Sequence, residues 1–350
     1  MHIKPETVKA FIYGVASYLP KERLTNEQLA ADHPEWNVDN IYEKIGIRSR
    51  CIASKDETCS SMAINAARNL FVAYDITPAQ IDFIILCTQS PDHFLPTTAC
   101  IVQHELGIPI SAGALDFNLG CSGYVYGLSL AKALIESNQA KRVLLLTSEL
   151  YSRYINTNDK SVRTIFGDAA TATLLEGKYS PKEIIHSFKF GTDGSGAGNL
   201  IVPDGGSTNP IGHDSHIEQE DSSGNRRAPS NIYMNGAEIL SFTLKNVPKS
   251  IEEVLQTANL RKDQIDRVIF HQANKFILDK LRMKTGFTEE QSLISYENYG
   301  NTVSSTIPLG IEQAIKTSKL KNNDKLLLFG FGVGYSWAGC IVEWMHCNVR

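Results

Sequence analysis

Apolar residues along the chain fall into two patterns. Short uninterrupted runs at 83–86, 143–146, 268–270 and 326–329 read as strands covered on both faces, because a strand with one wet face alternates apolar and polar residues. Between them, the segments 60–72, 97–106, 122–136, 251–257, 274–285 and 305–318 repeat apolar positions at helical spacing. Pro96 suits a first helical turn, and Gly107 and Gly286 suit left-handed stops. Strand alternates with helix, so the pattern predicts an α/β architecture around doubly covered sheet.

The pattern also repeats. AQIDFIILCTQS, starting at Ala79, aligns without gaps on DQIDRVIFHQAN, starting at Asp263; KRVLLL at Lys141 aligns on KLLLF at Lys325. Both alignments carry one offset of 184 residues (Ala79 to Asp263, Lys141 to Lys325). Buried strands resemble one another by composition alone, so it is the shared offset that argues for duplication. The halves fall at 1–180 and 181–350, each with a βα core. The offset carries Cys87 onto His271 and Cys121 onto Ser305, which predicts that groups from both halves meet at strand ends, where parallel sheets bind ligands. Residues 191–230, rich in Gly, Ser, Asp, Asn and Pro, form a long surface excursion, either a functional cover or disordered.

Composition narrows the function. The 350 residues, 42% hydrophobic and 21% charged, suit a soluble protein of two lobes. A net charge of −4 gives no reason to expect nucleic acid as a partner. Seven cysteines (51, 59, 87, 100, 121, 340, 347) show no CxxC pair, which points to reduced thiols in a cytoplasmic protein rather than a disulfide framework. No export signal is read at the N-terminus and no membrane span elsewhere, since no run of eighteen apolar residues occurs. His213 and His216 lie three apart in the excursion without a convincing third ligand, so no metal is expected.

Three residues stand out chemically. Cys121 follows a short apolar strand and precedes an amphipathic helix, where backbone N–H groups and the helix dipole would lower its pKa. It is the best nucleophile of the seven; Cys87, Cys100 and Cys340 read better as small buried hydrophobes. Gly120 and Gly123 leave room for a substrate beside it. His271 ends a strand in a polar turn with Gln272, Ala273 and Asn274. Asn301, before a Ser/Thr-rich helix start, either caps that helix or donates to a developing oxyanion. Gly330, Gly332 and Gly334 are followed by strand-like sequence, which fits a tight turn between strands and not a nucleotide loop. Lys275, Lys280, Arg282 and Lys284 lie on one helix beside His271, a solvated face that could receive an acidic partner.

Taken together, Cys121 in GCSG, His271 in HQAN, Asn301 in YGNT and the run GFGVGYSW resemble the signature of a type III β-ketoacyl-acyl carrier protein synthase of the thiolase superfamily. FLPTTAC, FGDAATATLL, GTDGSGAG and MNGAEIL extend the resemblance over nearly the whole chain. It implies a thiolase-like fold with duplicated βαβ-rich halves in a five-layer αβαβα arrangement, and a homodimer. It implies a Cys121, His271, Asn301 triad, with an oxyanion hole from the N–H groups of Cys121 and Gly334. The substrates implied are an acyl-CoA or acyl-carrier donor and malonyl-acyl carrier protein, with no cofactor. Trp36 resembles the family's adenine-stacking tryptophan; Lys44 and Lys160 stand where arginine usually pairs with the coenzyme. Gly236 and Asn274 are expected along the substrate arm. Ala237 and Phe276 replace polar or basic residues there. Leu95 is expected to reach across the dimer and close the acyl pocket, and the 275–284 cations to dock the carrier protein. Lysine lacks arginine's forked donors, so the departures favour a carrier-bound or specialised acyl donor over acetyl-CoA.

Decarboxylative condensation is thus the leading expectation. Three others stay open: acyl transfer to a hydroxyl or amine, a catalytically silent dimer partner, and a Cys-His-Asn hydrolase. Carbon dioxide release separates the first from the rest.

Overall fold

The computed structural model describes residues 7–345; Cys347 lies outside them. Five strands make the first sheet: β1 (Thr7–Tyr18), β2 (Phe83–Cys87), β3 (Gly113–Phe117), β4 (Arg142–Glu149) and β5 (Ala169–Ser180). Their spatial order is β1-β5-β4-β2-β3, with β4, β2 and β3 parallel and β1 and β5 antiparallel to their neighbours. The second sheet orders β6 (Ile185–Thr192), β7 (Arg267–Phe270), β8 (Lys325–Gly332) and β9 (Ser336–Glu343) as β7-β8-β9-β6. Here β7 and β8 are parallel, and β9 runs antiparallel to both β8 and β6. The sheets therefore match strand for strand, with one exception. The counterpart of β3 is reduced to a single parallel bridge between Val268 and Ser292.

Six helices complete five layers. α1 (Cys59–Tyr74) and α2 (Thr98–Leu106) cover the outer face of the first sheet; α4 (Gly236–Ala258) and α5 (Lys275–Thr285) cover that of the second. α3 (Gly123–Glu136) and α6 (Thr306–Lys316) lie between the sheets and pack on both. Strand side chains alternate between layers: Ile84 and Leu86 join α1 and α2, while Ile85 joins α3. All three are fully buried, so these strands read as continuous apolar runs. No helix among the described residues is long and apolar enough to cross a membrane.

Most boundaries agree with the sequence pattern to within a few residues. Gly107 and Gly286 are left-handed helix stops, at φ 67° and 77°. Pro96 is a correction: it precedes the N-cap Thr97 instead of opening α2. α4 extends far beyond 251–257, through Pro248, because the buried stripe Ile239, Phe242, Val247 and Ile251 continues across the proline. The excursion is built onto the body. Leu200–Ile201 pairs with Tyr233–Met234, and Gln219–Glu220 with Arg226–Arg227. Arg227 fixes the latter hairpin by pairing with the fully buried Asp159 at 2.6 Å and with Asp221 at 2.6 Å.

The halves are stitched at Gly167. Its N–H donates to the Asn301 carbonyl at 3.0 Å, and a Cβ there would lie 2.2 Å from the backbone oxygen of Tyr299. Neither backbone can yield without moving Asn301. Gly167→Ala is expected to cost about 2 kcal/mol or more, read as a lowered urea midpoint with an unchanged slope.

Candidate active site

The loop after β3 delivers Cys121 to the start of α3, where the Gly123 N–H closes a turn onto the Gly120 carbonyl at 2.8 Å. β8 passes directly against this turn. A Cβ on Gly330 would meet the Cys121 carbonyl at 2.5 Å, and one on Gly332 would meet Cys121 Sγ at 2.9 Å. The glycines of β8 thus allow backbone to reach the nucleophile. Cys87 lies beneath, its thiol donating to the Leu119 carbonyl at 3.0 Å.

His271 follows β7 and is almost fully buried, edge-on to the Phe331 ring. Its Nδ1 lies 2.8 Å from Thr306 Oγ1. Burial pulls the imidazole down to about 3 against the opposing Val303 carbonyl, so the ring is neutral at neutral pH. Asn301 is oriented from behind, its Oδ1 accepting from the Val303 N–H at 2.9 Å. Val303 holds φ 55°, a left-handed conformation that a β-branched residue rarely takes. This locks the Asn301 amide with Nδ2 facing His271 Nε2 at 3.4 Å. Thr306 Oγ1 has two acceptors within reach, Nδ1 at 2.8 Å and the Val303 carbonyl at 2.9 Å; with its one proton turned to Nδ1, the ring proton is on Nε2. Two N–H donors then converge on one point.

Cys121, His271 and Asn301 line one cavity of about 540 Å³, walled by apolar side chains that include Phe166, Leu200, Met234 and Phe331. A largely apolar cavity with a few convergent polar groups is the usual form of a small-molecule site. Lys44, Gly236, Ala237, Asn274 and Phe276 line it too. Asn274 Oδ1 caps α5 by accepting from the Ile277 N–H.

Two sequence expectations are corrected, the second backbone donor and the state of the thiol. Val333, not Gly334, presents the second backbone N–H to Cys121 Sγ, alongside that of Cys121 itself; the GFGVGYSW motif does not say which residue of the turn faces inward. The thiol is not lowered: burial pushes it well up and the nearby Glu149 carboxylate adds to this, against the two N–H groups. Cys121 rests as a thiol. Trp36 lies outside this cavity: it packs with Leu24, Leu29 and Val38, stacks on His33 at 3.8 Å and 7°, and lines a small surface cavity with Asn158, Glu220 and Arg226. Of the α5 cations, Lys275 is paired with Asp279 and Arg282 with Glu289; Lys280 lies over the Phe276 ring. Lys160 is exposed on the short helix Lys160–Arg163, outside the cavity, and Leu95 is 82% exposed. Sequence reasoning missed Thr306, Val303 and Glu149, since Ser/Thr, Val and Glu carry no motif of their own.

Glu149 is fully buried. It accepts from Ser304 Oγ at 2.6 Å and the Gln89 N–H at 3.1 Å. Burial lifts its carboxyl from 4.5 to about 8 despite these donors. A raised carboxylate makes the folded state bind the extra proton, so its stabilising contribution is complete below 4.5 and is lost as pH rises through 8. His271, lowered from 6.5 to about 3, acts oppositely, but only below 6.5. Between pH 6.5 and 8 the His271 effect is absent and the Glu149 effect remains. Wild-type stability should fall over that window by on the order of 1 kcal/mol more than that of Glu149→Gln, read from urea unfolding at a series of pH values.

The sequence pattern of 3-oxoacyl-(acyl-carrier-protein) synthase III matches residues 115–194, and that of its C-terminal part matches residues 255–344. A β-ketoacyl-(acyl-carrier-protein) synthase III of Caldanaerobacter subterraneus subsp. tengcongensis is 33% identical over 342 residues, covering 97% of this chain and 99% of that protein. A crystal structure of a 3-oxoacyl-(acyl-carrier-protein) synthase III, 50% identical, superposes with a TM-score of 0.94 over 96% of this chain and all of that one. The Burkholderia xenovorans LB400 structure of a 3-oxoacyl-(acyl-carrier protein) synthase, 36% identical, gives 0.89 over 99% and 98%. The five layers are the thiolase-like fold of these enzymes, and the chain belongs to the 3-oxoacyl-(acyl-carrier-protein) synthase III family.

Proposed function

We propose that the protein catalyses decarboxylative Claisen condensation of an acyl thioester with malonyl-acyl carrier protein. Cys121 Sγ attacks the donor carbonyl, and the N–H groups of Cys121 and Val333 hold the oxyanion. The donor thiol departs with the Cys121 proton, leaving an acyl-enzyme. His271 Nε2 and Asn301 Nδ2 then donate to the malonyl thioester carbonyl. As the carboxylate leaves as carbon dioxide, its bonding electrons form an enolate whose oxygen those donors stabilise. The enolate carbon attacks the acyl carbonyl; the C–S bond breaks, and the Cys121 thiolate takes a proton from solvent. These steps call on no metal or redox group.

The observation that carries this reading is the 3.4 Å convergence of Asn301 Nδ2 on His271 Nε2 in the cavity of Cys121. It also weighs against transfer to a hydroxyl or amine, which needs a base near neutrality. An imidazole that burial holds neutral is a weak base.

Carrier protein and homodimer belong to the same proposal. Lys280 and Lys284 are exposed on α5 close to Phe276 at the cavity, a surface suited to an acidic carrier. Phe94 and Leu95, 91% and 82% exposed, form an apolar tip of the kind a second copy would cover. A reducing cytoplasm suits the free Cys121 thiol.

Intact-mass measurement with a panel of acyl-CoA and acyl-carrier donors tests the reading. Wild type should gain the acyl mass and lose it with carbon dioxide release when malonyl-carrier is added; Cys121→Ala should gain nothing. His271→Ala and Asn301→Ala should still acylate, with condensation slowed by on the order of 100-fold or more. Acylation that discharges without carbon dioxide would overturn the proposal.

A further inference from the structure

The condensing steps leave one buried acid without a task. Glu149 ends β4 and is fully buried, where an apolar side chain would avoid the cost of desolvating a carboxyl. What the carboxyl adds is two directed ends. Oε2 accepts the Gln89 N–H at 3.1 Å, and the Gln89 side chain stands against the turn of the nucleophile, its Oε1 2.6 Å from where a Cβ on Gly120 would lie. Oε1 meets Ser304 Oγ at 2.6 Å, in the loop that carries Asn301. Glu149 therefore spans from the segment beside Cys121, in the first half, to the segment that holds the enolate donor, in the second.

The Ser304 end falls at the point of strain. Val303, the residue before it, keeps φ 55°, a conformation that persists only where the surrounding structure enforces it. In that conformation its N–H reaches Asn301 Oδ1 at 2.9 Å, and the other end of the amide faces His271 Nε2. A Val303 released toward the β region would turn that N–H away and free the amide to rotate. Ser305 is tied separately, to Thr147 Oγ1 at 2.7 Å and to the Ala169 carbonyl at 3.2 Å. The start of α6 is thus anchored without Glu149, and the Ser304 link adds a hold on the strained residue. Either state of the acid can make that link, since a carboxylate accepts the Ser304 hydroxyl and a protonated carboxyl donates to it.

The geometry points to Glu149 as a positioning residue for condensation: through Ser304 it holds the Val303 turn, and with it the Asn301 amide, in place against His271 and Cys121. The inference rests on the condensing reading, since it concerns the donor pair that serves the malonyl carbonyl. Acylation of Cys121 calls on the N–H groups of Cys121 and Val333 and not on Asn301, so the two half-reactions should separate.

Ser304→Ala cuts the strut at its Asn301 end and leaves Glu149 joined to Gln89. Acyl-enzyme formation, followed by intact mass, should stay within about twofold of wild type, while carbon dioxide release from malonyl-carrier by preloaded enzyme should slow by about tenfold or more, because small misplacements of a reacting or stabilising group cost that much. Glu149→Ala should slow release likewise. Glu149→Gln, whose amide can donate to Ser304 Oγ and accept from the Gln89 N–H, should recover most of it. The decisive comparison is made on Asn301→Ala. A residue that acts through Asn301 has nothing left to act on there, so adding Ser304→Ala should slow release no further. Full added slowing on that background overturns the inference, as does equal slowing of both half-reactions by Ser304→Ala with a wild-type urea midpoint, or unchanged release in both Ser304→Ala and Glu149→Ala. Should Ser304→Ala lower the midpoint, Glu149→Ala and Glu149→Gln on the Asn301→Ala background decide in its place. Each of these outcomes leaves condensation standing; wild type that loads an acyl group and releases no carbon dioxide removes the condensing reading and the inference together.

Discussion

Everything at the site depends on how closely the two halves approach between the sheets. Cys121 belongs to the first half, yet its carbonyl and sulfur press on the backbone of β8 in the second, a contact possible only because residues 330 and 332 lack side chains. Asn301 belongs to the second half, yet its backbone bridges Phe166 in the first. Buried hydroxyl pairs repeat the exchange at the start of each central helix. Ser122 Oγ meets Ser336 Oγ of β9 at 2.7 Å, and Ser305 Oγ meets Thr147 Oγ1 of β4 at 2.7 Å. Each helix start is thus anchored to the other half's sheet. Such satisfied buried pairs fix register where apolar packing alone would permit sliding.

Dry packing then sets the electrostatics. Desolvation removes charge from each reactive group, leaving a thiol at Cys121 and a neutral imidazole at His271. It also lifts Glu149. An uncharged triad suits a reaction whose negative charge arises only transiently, first on an oxyanion and then on an enolate. Fixed N–H donors stabilise such charge most in a medium of low dielectric. Val303 supplies the geometric counterpart: its strained backbone orients Asn301, and its carbonyl is the alternative acceptor for the Thr306 hydroxyl, at 2.9 Å.

The parts legible in the sequence are those where one local rule decides. Strands buried on both faces announce themselves as apolar runs, and a fixed offset between runs reveals the duplicated sheets. Cys121 and His271 each follow a strand end, and the 184-residue offset sets the Asn301 loop opposite the Cys121 loop, so their meeting follows from topology. Less visible were contacts made by backbone or across distant segments. Glycine-rich GFGVGYSW shows that backbone must approach, but the inward N–H belongs to Val333 because of how the turn is wound. Trp36 resembles a ligand-stacking residue in sequence, and His33, three positions earlier, already takes one of its faces. The Cys121 thiol is governed less by the helix that follows it than by the depth at which α3 is packed between two sheets. α4 was underestimated because proline is a strong local signal and a buried stripe is a distant one.

These differences separate two kinds of information in the chain. The triad has one geometry that works, so its residues recur as short motifs and identify the chemistry from sequence. The walls of the cavity can be built in many ways, from residues such as Phe166, Leu200 and Met234 that lie far apart in the chain and carry no motif. Their meeting is decided by how the sheets and the 191–230 excursion pack, so only the folded chain displays it. The reaction is therefore written in the motifs, and the choice of substrate in walls that only tertiary structure assembles.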